Sequence, residues 1–485
     1  MRIGWLTCIP AVLLPHSLCR FTTANAPANR QMPIASVVSL NFKKKDKMFI
    51  DYKSFLKIFE TGFWKKLKES LVPMTDNVDK EKFLEELYFE ISNYSYSPLF
   101  PRDYIVANKH NGISRYIPTF SRKDYCVFYL CIKLLEDEIA VNRIEGTFGG
   151  WTLGNTIRLK EEAEILELDY VPFNTLNELS WIQEWRNFQS ISWRYRNIDD
   201  WKFFINIDIA NFYDCINLSI LERQIRHAVS KKKQDVVTLL FHFLRNWNKR
   251  LEGYNIKTVG IPQDEIGDCS RLLANFYLQD YDQRMKTICD TLNAKYIRFA
   301  DDQLIFAKSK EDARAIMFEA SKELMKINLN LNSGKVKEFE ELKAFDEYWA
   351  FTIFDLLMDK EDKIKINTAI GIYFFNKEKG IKFRDDSVLK RILTIDVSLI
   401  EPKYKHKLLA LFYDLDFLSQ LKVWHFKRIR EFVNNDNEFF GELDKLINLV
   451  MFNSFHYNLL AFYQKERKDY DCKNIEERIE YLRLK

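Results

Sequence analysis

The stretch Tyr296-Ile297-Arg298-Phe299-Ala300-Asp301-Asp302-Gln303-Leu304-Ile305-Phe306-Ala307 sets two adjacent carboxylates between two short runs rich in Ile, Phe and Leu. Runs of this length and composition predict paired strands, and the turn between them carries Asp301 and Asp302 off the apolar face. Two anionic oxygen groups so presented suit hard divalent cations and, with them, metal-assisted phosphoryl chemistry. An acidic pair also closes many ordinary hairpins, so a second signal is required. Upstream, Phe203-Phe204-Ile205-Asn206-Ile207-Asp208-Ile209-Ala210-Asn211-Phe212-Tyr213-Asp214 is another apolar strand that ends at an acid and runs into aromatic residues and a helical pattern. Nucleotidyl transfer with two metals needs a few carboxylates from separate strands, holding ions roughly 3.5–4 Å apart. Asp208 at a strand end and the hairpin pair would supply them.

The order of strand with Asp208 and Tyr213, then Gly260-Ile261-Pro262-Gln263, then Phe299-Ala300-Asp301-Asp302, resembles the palm domain of reverse transcriptases. The tract Ser270-Arg271-Leu272-Leu273-Ala274-Asn275-Phe276-Tyr277-Leu278 is similar to the helix that follows the Gly-Ile-Pro-Gln turn in that family. Asn108-Lys109-His110-Asn111-Gly112-Ile113-Ser114-Arg115-Tyr116-Ile117-Pro118 is similar to its fingers segment, and Asn328-Leu329-Asn330-Leu331-Asn332-Ser333-Gly334-Lys335 to its lysine-bearing turn. The motifs run from Lys109 to Lys335.

The resemblance implies a role for each position. Asp208, Asp301 and Asp302 would hold Mg²⁺ or Mn²⁺, the Ile209 carbonyl adding a ligand, because hard ions take oxygen donors. Lys335 would protonate or neutralise departing pyrophosphate. Arg115 would grip triphosphate oxygens bidentately and Lys109 would act as a mobile point charge. Tyr213 occupies the sugar-discriminating position, where a ring collides with a ribose 2′-hydroxyl and favours deoxynucleotides; packing is its plainer role. Gln263 would lie near the incoming nucleotide. Phe299 stands where Tyr is commonest and loses only a hydroxyl.

One departure concerns the template. Where relatives continue Gly-x-Pro-Gln with Gly and small residues, this chain reads Gln263-Asp264-Glu265-Ile266-Gly267-Asp268. Carboxylates beside template phosphates repel them by several kcal/mol at contact distance and an effective dielectric of ~20. The acids turn away, or pair with Arg271 or Arg298, or Asp264 and Glu265 offer acceptors to an incoming base and partly substitute for a template.

Composition agrees with an enzyme of this kind. With 485 residues, 47% hydrophobic, 14 Gly and 11 Pro, the chain can bury large cores in two or three domains, so disorder does not dominate. The net charge of +4 is small, so a nucleic-acid channel must come from local clustering. Short basic runs stand at Lys43-Lys44-Lys45, Lys65-Lys66, Lys231-Lys232-Lys233 and 403–407, each a solvated face by default. Trp193-Arg194-Tyr195-Arg196, which interleaves rings and cations, is a better phosphate and base contact. Eight scattered cysteines without Cys-x-x-Cys or a His cluster indicate neither a zinc module nor a disulfide framework, and fit a reducing compartment.

The predicted fold class is α+β, a right-hand polymerase of fingers, palm and thumb with helical N- and C-terminal regions. Residues 1–47 read as a leader that is disordered or a mis-assigned start. Pro10, Pro15 and His16 break the apolar tract over 3–18, which otherwise resembles a secretory signal, and Met48 is the expected initiator of a cytoplasmic protein. Residues 48–200 hold N-terminal helices and fingers, with a helix over 124–140; 201–360 form the palm; 361–485 form the thumb and extra helices, with long helical patterns over 408–421 and 439–463. No run reaches the ~18–20 apolar residues of a membrane span.

The last part is too short for the maturase and nuclease regions of group II intron proteins and lacks the Val-Thr-Gly of retron enzymes. The Ser270-Arg271 tract and helical C-terminus look most like bacterial phage-defence reverse transcriptases of the abortive-infection and previously unclassified groups. Arg115-Tyr116-Ile117-Pro118-Thr119-Phe120-Ser121 and residues 146–151 resemble the second polymerase of the type-three, two-reverse-transcriptase defence system. That resemblance implies dNTPs, DNA and RNA as ligands, a co-encoded second reverse transcriptase, a non-coding RNA and an oligomeric complex. Two functions remain open: an active RNA-directed DNA polymerase, or an idle polymerase fold serving as an RNA-binding or assembly subunit. Retention of the three acids with Lys109, Arg115 and Lys335 favours the first.

Overall fold

The structure, a computed structural model, describes residues 49–485 apart from 60, 69, 73, 75–76, 111, 155–156, 161–162, 171–180, 199–200, 249–259, 434, 469 and 484–485. The expected leader, Met48 and the Lys43 run lie outside the described residues.

Among the described residues, nine strands are interspersed among helices. They are β1 (Asp103–His110), β2 (Ile113–Thr119), β3 (Thr147–Phe148), β4 (Arg158–Leu159), β5 (Leu168–Tyr170), β6 (Phe203–Ile207), β7 (Lys295–Phe299), β8 (Asp302–Ala307) and β9 (Lys337–Phe339). The central sheet has the order β3-β7-β8-β6-β9, with β3 parallel to β7 and the remaining pairs antiparallel. Alternate residues of its strands serve two cores. Ile205, Ile207, Ile305 and Ala307 enter a large core shared with the N-terminal helices, whereas Phe204, Leu304, Phe306 and Ile297 enter an aromatic core with Phe188, Phe345 and Trp349. A sheet buried on both faces explains the near-continuous apolar runs that mark these strands in the sequence.

Helix Arg122–Ile139 forms beneath this sheet because Ser121 caps it, its hydroxyl accepting from the Asp124 amide at 3.1 Å, and because Val127, Leu130, Cys131 and Leu134 recur on one buried stripe. β1 and β2 form a separate hairpin, its register shifting between Asn108 and His110. The C-terminal helices have a core of their own. The two long helices expected there are broken: 408–421 spans Pro402–Phe412 and Leu415–Leu418, and 439–463 spans Asp436–Leu446 and Asn453–Glu466. Asp414 caps the second piece of the first pair through the amides of Asp416 and Phe417. In the second pair, His456 Nε2 lies 2.7 Å from the Ile447 carbonyl across the break, and its Nδ1 lies 3.1 Å from the Phe452 carbonyl. Dense Leu and Phe patterning hid both turns.

Candidate active site

β6 ends one residue before Asp208, and the β7–β8 connection is the two-residue turn Ala300-Asp301, with Phe299 paired to Asp302. Since Ile207 faces Gln303 across the β6–β8 ladder, the three acids gather at one end of these inner strands. They feel one another. Burial first, then the charges of Asp302 and Asp208, push the Asp301 carboxyl up to about 7. The Asp208 carboxylate is almost wholly buried and already engaged. Its Oδ1 accepts from Lys335 Nζ at 3.0 Å and its Oδ2 from the Asn332 amide at 2.9 Å. The turn that carries Lys335 is fixed to β6 by a bridge between Ile209 and Leu331; Asn332 N bonds the Asp208 carbonyl at 2.8 Å and Ala210 N the Asn330 carbonyl at 2.9 Å. The Ile209 main chain thus lies beside the acids, between those bonds.

Asp302 is held by a residue that no motif announced. Arg384, which follows helix Lys363–Glu378, donates from Nη2 to Asp302 Oδ2 at 3.2 Å. Its guanidinium lies 4.1 Å from the Trp349 ring centroid and 5.6 Å from that of Trp185, and its amide bonds the Tyr348 carbonyl at 3.1 Å. Among the described residues no group of three acids, histidines or cysteines is already arranged as a metal cage. The donor chemistry nevertheless fits hard cations: three carboxylates converge, and a carboxyl forced up by like charges is relieved by one.

Beneath the turn, Arg298 is fully buried and makes four hydrogen bonds. It donates to both Asp282 oxygens at 2.8 and 2.6 Å, to Asn275 Oδ1 at 2.8 Å and to the Ala300 carbonyl at 2.7 Å; Tyr296 adds a bond to Asp282 at 2.8 Å. Ala300 is left-handed, φ 53°, a conformation that an L-residue adopts at a cost of roughly 1–2 kcal/mol. Arg298 and the Phe148 carbonyl, which receives Ala300 N at 3.2 Å, hold it there.

Tyr213 and the Gly260-Ile261-Pro262-Gln263 turn meet directly. Ile261 N bonds the Tyr213 carbonyl at 3.1 Å, and a Cβ on Gly260 would stand 1.9 Å from that same oxygen, so the approach admits only glycine. The half-buried Tyr213 ring lines a pocket of about 220 Å³ with Gly149, Gly150, Arg271, Asn275 and Ala300. Burial and Asp301 raise its phenol, while Arg271 and Arg115 act in the opposite sense. Gln263 is half-buried at the head of the following loop.

The loop acids both make bonds within the chain. Asp264 is buried and accepts from Gly267 N at 2.9 Å and Ser270 Oγ at 3.0 Å; Glu265 accepts from Ser70 Oγ at 2.7 Å and from Leu71 N. Asp268 is bound by Lys66 at 2.6 Å and by Arg271. Through these bonds Asp264 and Glu265 tie the loop to the following helix and to the N-terminal segment. In the Trp193–Arg196 tract, Arg196 reaches Asp346 at 3.3 Å and stacks on Phe351, Trp193 bonds Asp355 at 3.1 Å, and Tyr195 packs on Phe306, while Arg194 is exposed. Within the Lys231 run, Lys233 is buried against Asp137 and Glu138.

Lys109 and Arg115 project from the β1–β2 hairpin, exposed, into a cleft that faces the C-terminal helices. Sequence reading missed Asn332, Arg298 with Asp282, and Arg384. Asn332 lies inside a tract already singled out, but Arg384 is 82 residues from Asp302 and becomes legible only through the fold.

Residues 172–373 match the sequence family described as reverse transcriptase (RNA-dependent DNA polymerase). No curated protein matches the chain. Among solved structures, similarity extends to telomerase of Candida tropicalis in complex with a fragment of telomeric RNA, with 11% identity over 84% of this chain and 70% of that one and a TM-score of 0.33. Telomerase of Candida albicans with such a fragment gives 10% identity, 83% and 68% coverage and a TM-score of 0.31. Apo telomerase of Candida tropicalis gives 12%, 89%, 70% and 0.31.

Proposed function

We propose that this chain, whose residues 172–373 carry a reverse transcriptase domain, is a DNA polymerase that joins deoxynucleotides by metal-assisted phosphoryl transfer. The observation that carries the reading is the convergence of Asp208, Asp301 and Asp302 at one end of the inner strands, with Asp301 pushed up by burial and then by its anionic neighbours. Asp208, Asp301 and Asp302, with the Ile209 carbonyl, would hold Mg²⁺ or Mn²⁺. The chemistry such ions supply is Lewis-acid stabilisation of the attacking and leaving oxygens. Lys335, half-exposed and bonded to Asp208, keeps its ammonium at the site and carries a proton to the leaving pyrophosphate. Arg115 and Lys109 anchor the triphosphate, Gln263 lies along the incoming nucleotide, and the Tyr213 ring, pinned through its own carbonyl, rejects a 2′-hydroxyl. Residues 48–200 act as N-terminal helices and fingers, 201–360 as palm, and 361–485 as thumb and extension.

The resemblance to phage-defence reverse transcriptases supports a setting in antiviral defence, in the cytoplasm, with a partner reverse transcriptase and a non-coding RNA. A second reading, an idle RNA-binding or assembly subunit, is favoured by one observation: two of the three acids already carry cations of the chain itself, Lys335 and Arg384. Purified protein is given Mg²⁺ with each labelled dNTP or NTP, with and without template, then with the co-encoded RNA and partner. Incorporation of dNTPs supports the polymerase; no product under every condition, from protein that binds RNA, supports the subunit.

A further inference from the structure

Arg384 is bonded to three separate parts of the chain. Its guanidinium donates to Asp302 Oδ2 at 3.2 Å and lies over the Trp349 ring, with Trp185 beside it. Its amide donates at 3.1 Å to the carbonyl of Tyr348, in helix Leu342–Trp349. Its own carbonyl accepts at 3.1 Å from Val388 N, in the first turn of helix Asp385–Ile392. That second helix sends Val388, Leu389 and Ile392 into the C-terminal core. Asp385 ties it to helix Lys363–Glu378, accepting from the Tyr373 hydroxyl at 2.5 Å and pairing with Lys377 at 2.8 Å. Through one side chain, the start of a C-terminal helix is fastened to one of the three gathered acids.

A divalent ion undoes a tie of this kind. The Asp302 and Arg384 side chains are 28% and 22% exposed, so an ion reaches the carboxylate from solvent. An oxygen that accepts from a guanidinium cannot also bind such an ion without setting two positive centres a few Å apart, where they repel. Three carboxylates meet two cations of the chain, Lys335 and Arg384. One divalent ion brings positive charge into excess, and withdrawal of Arg384 restores the balance. The link that carries Arg384 is free to yield, since none of residues 379–384 is buried.

We propose that Arg384 is a latch opened by metal occupancy. It fastens helix Asp385–Ile392 to the end of the inner strands, and it lets go of both Asp302 and Tyr348 when the Asp302 carboxylate takes a divalent ion. The proposal rests on the reading of Asp302 as a metal ligand. It makes Arg384 a positioning residue, one that couples the acids to the C-terminal helices. Such coupling is reciprocal: contacts that hold this helix in place lower the affinity of the acids for the ion.

The test is hydrogen–deuterium exchange of the full chain in EDTA and in Mg²⁺, without nucleotide. Mn²⁺ binding is followed in parallel by electron paramagnetic resonance, and the bound fraction is that lost in Asp301→Asn/Asp302→Asn. Mg²⁺ is expected to speed exchange of the 384–388 amides at least about threefold, while those of helix Lys473–Leu482 stay unchanged. In Arg384→Gln the same amides are expected to exchange fast already in EDTA and to ignore Mg²⁺. The wild-type comparison decides the matter if that variant fails to fold. Mn²⁺ bound at the acids with 384–388 exchange unchanged or slowed overturns the latch and leaves the metal reading standing. No Mn²⁺ bound by the folded chain overturns the metal reading and the latch with it.

Discussion

Arg298 joins the catalytic turn to the interior, and three residues around that turn carry separable predictions. Arg298→Met strands the Asp282 carboxylate without its counter-ion and frees the Ala300 carbonyl, and is expected to cost about 3–5 kcal/mol in urea unfolding. Arg298→Lys keeps the charge but not the fork, and is expected not to restore the turn. Arg384 stands where a metal would draw on Asp302. Removing a fixed cation beside a divalent site strengthens it, so Arg384→Gln is expected to tighten Mn²⁺ binding about three- to tenfold by electron paramagnetic resonance titration. Unchanged affinity would mean that Arg384 merely packs on Trp349. Asp301 governs a pH effect. Its carboxyl keeps a proton up to about 7 when folded but loses it near 3.8 unfolded, so the folded chain holds the extra proton between these values and stability falls as pH rises through that window. In EDTA the loss is on the order of 2 kcal/mol after screening is discounted. Asp301→Asn is expected to flatten that part of the melting profile relative to wild type.

At the scale of elements, positions with one geometric solution decide the arrangement. The Gly260 turn lies against helix Phe212–Cys215 at a distance that excludes any Cβ, so Gly260→Ala must move backbone. It is expected to destabilise by about 3 kcal/mol and to relax sugar choice by displacing Tyr213, read as the ratio of NTP to dNTP incorporation. A stability loss with sugar choice intact would detach Tyr213 from that role. The hairpin is tied to the C-terminal helices with similar economy. Asn453 accepts from Val106 N at 2.6 Å and donates to the Tyr104 carbonyl at 3.1 Å, while Asp103 receives Tyr457 at 2.6 Å and Arg483 at 2.9 Å. These ties set the width of the cleft in which Lys109 and Arg115 stand.

Across the whole molecule, the central sheet and its acids were legible because strand period, apolar runs and turn chemistry agree locally around Asp208 and Asp301. What escaped depends on chain brought from elsewhere. Asp264 and Glu265 look like surface acids until Ser270, Ser70 and Leu71 are seen to take their oxygens. Nothing near Arg196 in sequence points to Asp346, and nothing near Arg384 points to Asp302. The breaks at 413–414 and 447–452 were masked by Leu and Phe on both sides. No described helix is long and apolar enough to cross a membrane. The central claim is that the three acids perform phosphoryl transfer. Its most direct test is Mg²⁺-dependent incorporation of labelled dNTPs by the wild-type chain and by Asp301→Asn/Asp302→Asn, supplied with the same co-encoded components. Incorporation by the wild type that disappears in the variant, with folding retained, is the predicted result; equal incorporation by both would contradict it.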